Sequence, residues 1–393
     1  MKILKFLFIA SIALTFFSCG NNNEKNEITI NGKLTNAHAE TIYLEELTIT
    51  NLKSIDSTTV NEEGEFSFKQ RVTDKGFFVI KVAHNNFITV ILGQGENATI
   101  TGDIRRLART YNVENSYDSK LLWEIEQRKN KIYALYDSLG TVWRNKIHDS
   151  DNYKTKLILD SISDKAMNDY RNEQIDFITE NKHSLAMVVA IYQRINKSLV
   201  FTIKDDLELF NMLNQAINEK HPENMHAVDL NKRILEMKNY EANKKLVESK
   251  LDSGLTAPDF TLPDPEGKPI SLSSKKGKIV LLYFWKSRNT LSRNESPKLV
   301  ELYDKYRFKG FDIFCVTLDD NVQLWQAAIQ IDRMLWTHAI SNSAVRKFYN
   351  VEDDPEIIPR AFLLDREGKI IAKDFRVDEL ENLLKTVFDA DLR

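Results

Sequence analysis

Gly277-Lys278-Ile279-Val280-Leu281-Leu282-Tyr283-Phe284-Trp285 runs without a break into Lys286-Ser287-Arg288-Asn289-Thr290-Leu291-Ser292-Arg293-Asn294-Glu295-Ser296-Pro297. A continuous apolar run gives way to a polar segment with the marks of a helix start. Asn289 is a good N-cap, and Ser292 with Glu295 has the spacing of a capping box one turn later. Arg288 and Arg293 flank that start as exposed cations. Strand and helix signals alternate from here to the C-terminus, the pattern of an α/β domain.

Upstream, Lys244 to Gly254 is a polar stretch ending in glycine, which reads as a helix stop and a linker. Between Tyr117 and Leu251 the chain is charged, Leu/Ile-bearing and almost free of Gly and Pro, so residues 113–251 are expected to be helical. Leu121, Leu122, Ile125 and Ile132 recur near helical spacing, and 184–195 is apolar enough for a buried helix. His221 and His226 match no standard metal spacing and are read as loop residues; no metal and no cofactor is expected. Residues 27–112 break into short strands (Ile28–Ile30, Thr41–Leu44, Gly64–Phe68, Phe77–Val82, Phe87–Leu92) punctuated by Gly, Asn and Asp, the pattern of an antiparallel β-sandwich. Gly93-Gln94-Gly95-Glu96 lacks the Lys-Ser/Thr of a phosphate loop and reads as a turn.

At the N-terminus, Lys2 and Lys5 precede an apolar run from Phe6 to Phe17 and then Ser18-Cys19-Gly20. That is a secretory signal with a cysteine at its cleavage point, too short to span a bilayer permanently. The small residues before Cys19 resemble the lipobox of bacterial lipoproteins. The resemblance implies a signal peptide over 1–18, lipidation of Cys19, a polar tether over 19–26 and an extracytoplasmic place in the cell envelope. Without Asp after Cys19, the outer membrane is expected rather than the inner. With 393 residues and 42% hydrophobic content, the mature chain has material for several cores. A net charge of -3 leaves no electrostatic footprint for nucleic acid.

The motifs from Ala257-Pro258-Asp259-Phe260-Thr261-Leu262 through the run ending Phe284-Trp285, then Gly310 to Asp319, then Ile358-Pro359-Arg360-Ala361-Phe362-Leu363-Leu364-Asp365 and Glu367-Gly368-Lys369-Ile370, resemble the thioredoxin-like TlpA and AhpC/TSA group. The resemblance implies a thioredoxin-like domain over 252–393, and the sandwich and helices before it are similar to a module found ahead of such domains in lipoproteins of Bacteroidetes. Active members of the group carry a Cys-x-x-Cys where the strand meets the helix, because the helix terminus lowers the thiol pKa to about 3.5–7.5. In this chain Asn289-Thr290-Leu291-Ser292 fills that position, and neither Asn289 nor Ser292 can exchange disulfides.

Only two cysteines exist, Cys19 and Cys315. Lipidation consumes the first, and Cys315, inside Ile313-Phe314-Cys315-Val316, reads as a small buried hydrophobe. Pro359 stands where the group has its cis-proline; that residue either helps hold an extended peptide, together with Ile358, or only shapes the turn into its strand. The sequence thus leads to a redox-inactive envelope lipoprotein that binds a protein or peptide partner. The alternatives are a thiol-disulfide oxidoreductase or peroxidase working through an exposed Cys315, and a purely architectural lipoprotein.

Overall fold

The computed structural model describes residues 26–83, 85–352 and 357–390. The signal segment and Cys19, with the tether up to residue 25, lie outside the described residues. No helix among the described residues is long and apolar enough to cross a membrane. The chain divides into two compact units, Met1–Met237 and Lys238–Arg393.

In the first unit, eight strands open the fold: β1 (Glu27–Thr35), β2 (Thr41–Leu47), β3 (Leu52–Thr59), β4 (Glu65–Arg71), β5 (Gly76–Ala83), β6 (Asn86–Leu92), β7 (Asn97–Asp103) and β8 (Asn112–Glu114). They form two four-stranded sheets, β4-β1-β7-β8 and β3-β2-β5-β6. Ile28, Ile30 and Phe68 of the first meet Leu44, Ile80 and Val90 of the second in one core, as a sandwich requires. All named pairings are antiparallel except β1 with β7, which is parallel. Strand β3 lacks any regular inward apolar position and is largely exposed, which is why its polar sequence gave no strand signal.

The helices of this unit are α1 (Leu107–Thr110), α2 (Tyr117–Lys146), α3 (Asn152–Glu180), α4 (Ala186–Ile191), α5 (Leu207–Lys220) and the start of α6 (Met225–Ser249), with a two-residue strand pair β9 (Arg194–Ile195) and β10 (Ser198–Leu199). Phe77 and Ile91 leave the sandwich side and join Leu121, Ile125 and Met187 in a second core. The helices therefore cover the outer face of the β5–β6 pair, and the change of texture near residue 112 is a change of secondary structure within one compact unit. His226 lies against Phe77 with ring centroids 4.5 Å apart and its Nε2 reaches Leu47 O at 3.1 Å, so it is a packing residue.

The second compact unit begins inside α6, at Lys238. The reason is packing: Val247 and Leu251 bury against the core of the C-terminal domain. After the short pair β11 (Thr261–Pro263) and β12 (Pro269–Ser271) come β13 (Ile279–Trp285), α7 (Thr290–Tyr306), β14 (Phe311–Thr317), α8 (Val322–Ile331), β15 (Thr337–Ile340), α9 (Ser343–Phe348), β16 (Arg360–Leu364), β17 (Ile370–Lys373) and α10 (Val377–Ala390). The sheet order is β15-β14-β13-β16-β17, with β13, β14 and β15 parallel and β16 antiparallel to both β13 and β17. Every residue of β13 and β14 is buried, because one sheet face packs on Phe260, Val345 and Tyr349 and the other on α7, α8 and α10 through Leu302, Trp325 and Leu384. The multidomain plan is the expected one: β-sandwich, helical region, α/β domain of thioredoxin-like type.

Candidate functional site

Strand β13 delivers its last residue, Trp285, to the start of α7 through Lys286-Ser287-Arg288. Asn289 is the N-cap: its backbone is extended (φ -81°, ψ 121°) and its Oδ1 accepts from the Ser292 N–H at 2.8 Å. The Ser287 N–H donates to Asp319 Oδ2 at 2.7 Å, and Thr317 Oγ1 donates to the same oxygen at 2.7 Å, which fixes the loop to the end of β14. Arg293 is not the free cation that the sequence suggested. Its Nε and Nη2 each donate to Asp332 at 2.7 Å, and its Nη1 donates to Ser287 O at 3.2 Å. Nor does Glu295 complete a capping box with Ser292; it turns inward and accepts from Tyr283 OH at 2.6 Å.

Thr290 and Leu291 are exposed, whereas Ser292 is completely buried and its Oγ has no protein partner. The same is true of Ser287 Oγ, Trp285 Nε1, Trp325 Nε1 and His338 Nδ1. Tyr283, Cys315 and His338 stand side by side across β13, β14 and β15, so their side chains share one sheet face. Cys315 is 1% exposed and accepts a hydrogen bond from Trp336 Nε1 at 3.0 Å. Burial drives its thiol pKa far above the usual range, the opposite of activation. His338 donates from Nε2 to Met334 O at 3.2 Å, and burial lowers its pKa to about 4. A lone histidine in Trp336-Thr337-His338-Ala339 carried no signal that would have singled it out.

Pro359 lies at the same end of the sheet as this helix start. Arg360 pairs with Phe284 in the antiparallel β13–β16 ladder, which sets Pro359 beside the C-terminal end of β13. The Ile358–Pro359 bond is cis; Ile358 is buried and Pro359 half-buried. A cavity of about 480 Å³ opens here, lined by Glu241, Lys244, Glu248, Pro359, Arg360 and Arg376 among others. Arg360 is only 4% exposed. It donates to Asp374 Oδ1 at 2.7 Å, to Glu248 Oε1 at 2.5 Å and to Tyr349 O at 2.6 Å. Burial opposes the charge on Glu248, but hydrogen bonds from Asn350, Arg360 and Lys373 outweigh it and hold that carboxyl below its usual pKa.

Two outcomes follow from the geometry. Ser292→Ala removes a buried hydroxyl that no protein group satisfies, so urea unfolding should show it neutral or stabilising by about 1 kcal/mol. His338 refuses a proton in the folded state that the unfolded chain accepts near pH 6.5. Its contribution is intact above that pH and is lost as pH falls towards 4, on the order of 3 kcal/mol at full effect. Urea midpoints at pH 7 and pH 4.5 should therefore separate in the natural protein and lie closer together in His338→Phe, the remaining gap coming from groups such as His221 and His226, whose pKa values burial also lowers.

Residues 253–373 match the model of the AhpC/TSA family, and residues 28–122 match a domain of unknown function, DUF4369. The chain is 32% identical over 144 residues to the thiol-disulfide oxidoreductase ResA of Bacillus thuringiensis subsp. konkukian, which covers 36% of this chain and 81% of that protein. It is 29% identical over 133 residues to the chloroplastic peroxiredoxin Q of Triticum aestivum, covering 33% of this chain and 61% of the relative. Among solved structures, the C-terminal domain of a putative thiol-disulfide oxidoreductase from Bacteroides thetaiotaomicron is 34% identical, with 36% of this chain and 99% of that chain covered and a TM-score of 0.33. Through its C-terminal domain the chain belongs to the family of thioredoxin-like thiol-disulfide oxidoreductases.

Proposed function

We propose that this protein is a redox-inactive member of its family, a lipid-anchored envelope protein that binds a protein or peptide partner at the sheet end formed by Asn289 to Ser292, Ile358 and Pro359. The observation that carries the reading is the cysteine count: Cys19 and Cys315 are the only sulfhydryl residues in the sequence. With Cys19 lipidated, one thiol remains, and a single thiol has no intramolecular partner with which to form and release a disulfide. Cys315 is buried beneath Trp336 with a raised pKa, so the thiolate that would attack a substrate is disfavoured. The positions where the family places its reactive pair hold a capping asparagine and a buried serine.

Partner binding draws its support from the open cavity beside Pro359, at the sheet end where thioredoxin-like folds hold extended polypeptides. The anchor rests on Ser18-Cys19-Gly20 behind the apolar run, and the polar residues after it suit a tether to the outer membrane. Nucleic acid is not a partner in this reading. The second reading, a thiol-disulfide oxidoreductase or peroxidase, draws its support from the named activities of the relatives. It requires Cys315 to reach solvent.

Insulin reduction and peroxide consumption by the purified protein should stay at background. Turnover that Cys315→Ser abolishes would establish the second reading instead. Asn289→Cys combined with Ser292→Cys should form a disulfide reducible by dithiothreitol, read as a mobility shift after thiol alkylation, because the start of α7 still offers the required geometry. Cys19→Ala should abolish incorporation of radiolabelled palmitate and move the protein from the membrane to the soluble fraction of cells.

A further inference from the structure

The cavity beside Pro359 does not end there. A second one of about 680 Å³ shares Lys244, Asn350 and Ile357 with it, so the two form one groove. One wall is the C-terminal half of α6, which contributes Tyr240, Glu241, Lys244, Lys245 and Glu248. All of these precede residue 253, where the family match begins. A thioredoxin-like domain alone would lack that wall.

The charges along the groove are unevenly matched. Glu248 and Asp374 are neutralised by Arg360, and Lys373 adds a bond to Glu248 at 3.1 Å. Arg376 comes no closer than 3.9 Å to Glu295. Lys244 and Lys245 have no ion-pair partner among the described residues. Two further carboxylates face the groove, Glu352 and Glu241, and Glu241 Oε1 is buried with no hydrogen-bond donor. The groove thus offers unpaired ammonium groups beside a buried oxygen that needs an N–H. Inorganic anions satisfy only the first. A polypeptide with acidic side chains satisfies both, its carboxylates meeting the lysines and a backbone N–H meeting Glu241.

We propose that α6 completes the binding groove and that its occupant is an acidic, extended segment of a partner polypeptide, selected by Lys244 and Lys245. The inference rests on the reading of this sheet end as a polypeptide-binding face and adds the chemistry of the partner to it. Three fluorescein-labelled octapeptides serve as probes, alternating alanine with glutamate, glutamine or lysine, with binding to the detergent-solubilised full chain read by anisotropy. The glutamate peptide should bind about tenfold more tightly than the glutamine peptide at low salt, and added salt should shrink the difference. Lys244→Glu combined with Lys245→Glu should remove that preference and favour the lysine peptide. Both side chains reach the surface, and an unchanged thermal midpoint would show that the variant folds.

A photocrosslinker at position 289 separates the two levels of the argument. If all three peptides crosslink equally and the double variant changes nothing, the selecting role of α6 is refuted while the binding face stands. If no peptide binds or crosslinks, both are refuted.

Discussion

The buried guanidinium of Arg360 holds together the sheet end beside Pro359 in the C-terminal unit. A charge that is 4% exposed survives only if its donors are filled, and Arg360 fills them from three directions: Glu248 on α6, Asp374 after β17 and the carbonyl of Tyr349 after α9. Removing the cation would leave two partly exposed carboxylates without their principal partner, although Glu248 would keep Lys373 and Asn350. The residue directly follows Pro359. The network that anchors α6 to the domain therefore also fixes the start of β16 and, through the β13 ladder, its position beside α7.

At the neighbouring helix start the polar economy differs. A family member that uses a thiolate leaves its helix N–H groups and dipole to stabilise that charge. Here Asn289 takes up the Ser292 N–H with its own side chain, so the terminus is partly satisfied from within. Beneath it, Ser287, Ser292, Trp285, Trp325 and His338 each keep a buried polar atom without a protein partner. Groups of this kind cost about 1–3 kcal/mol each unless water reaches them. At Ser292 a thiol would tolerate that isolation better than a hydroxyl does.

Much of this was legible in the sequence because strongly apolar strands and sequence punctuation are local signals. β13 is visible as an unbroken apolar run, β14 through its apolar stretch Ile313–Val316, and Asn289 is visible as a cap because its side chain acts within one turn. What stayed hidden depends on partners far along the chain. Arg293 looks like a surface cation until Asp332 is brought to it by the fold, and Glu295 looks like a capping residue until Tyr283 takes it. Strand β3 is held by backbone pairing at a sheet edge, which leaves no trace in hydrophobic periodicity. The parallel β1–β7 pair is equally silent, since alternation reads the same for either direction. The start of the second unit within α6 depends on Val247 and Leu251, whose burial is decided by the domain that follows them.

The separation of fold from chemistry has a simple physical basis in this domain. Its stability resides in the two apolar layers on either side of β13, built from residues such as Phe284, Phe362 and Tyr349 on one face and Trp285, Leu302 and Leu384 on the other. None of those contacts requires sulfur at positions 289 or 292. A helix start needs a cap, and an amide oxygen is a better cap than a thiol. In the proposed redox-inactive reading, Asn289 and Ser292 in place of a reactive pair keep the helix, the sheet end and the cavity beside Pro359, and only electron transfer is given up. What such a domain retains is shape and charge, and in this chain both are extended by a helix from outside the family's own boundaries.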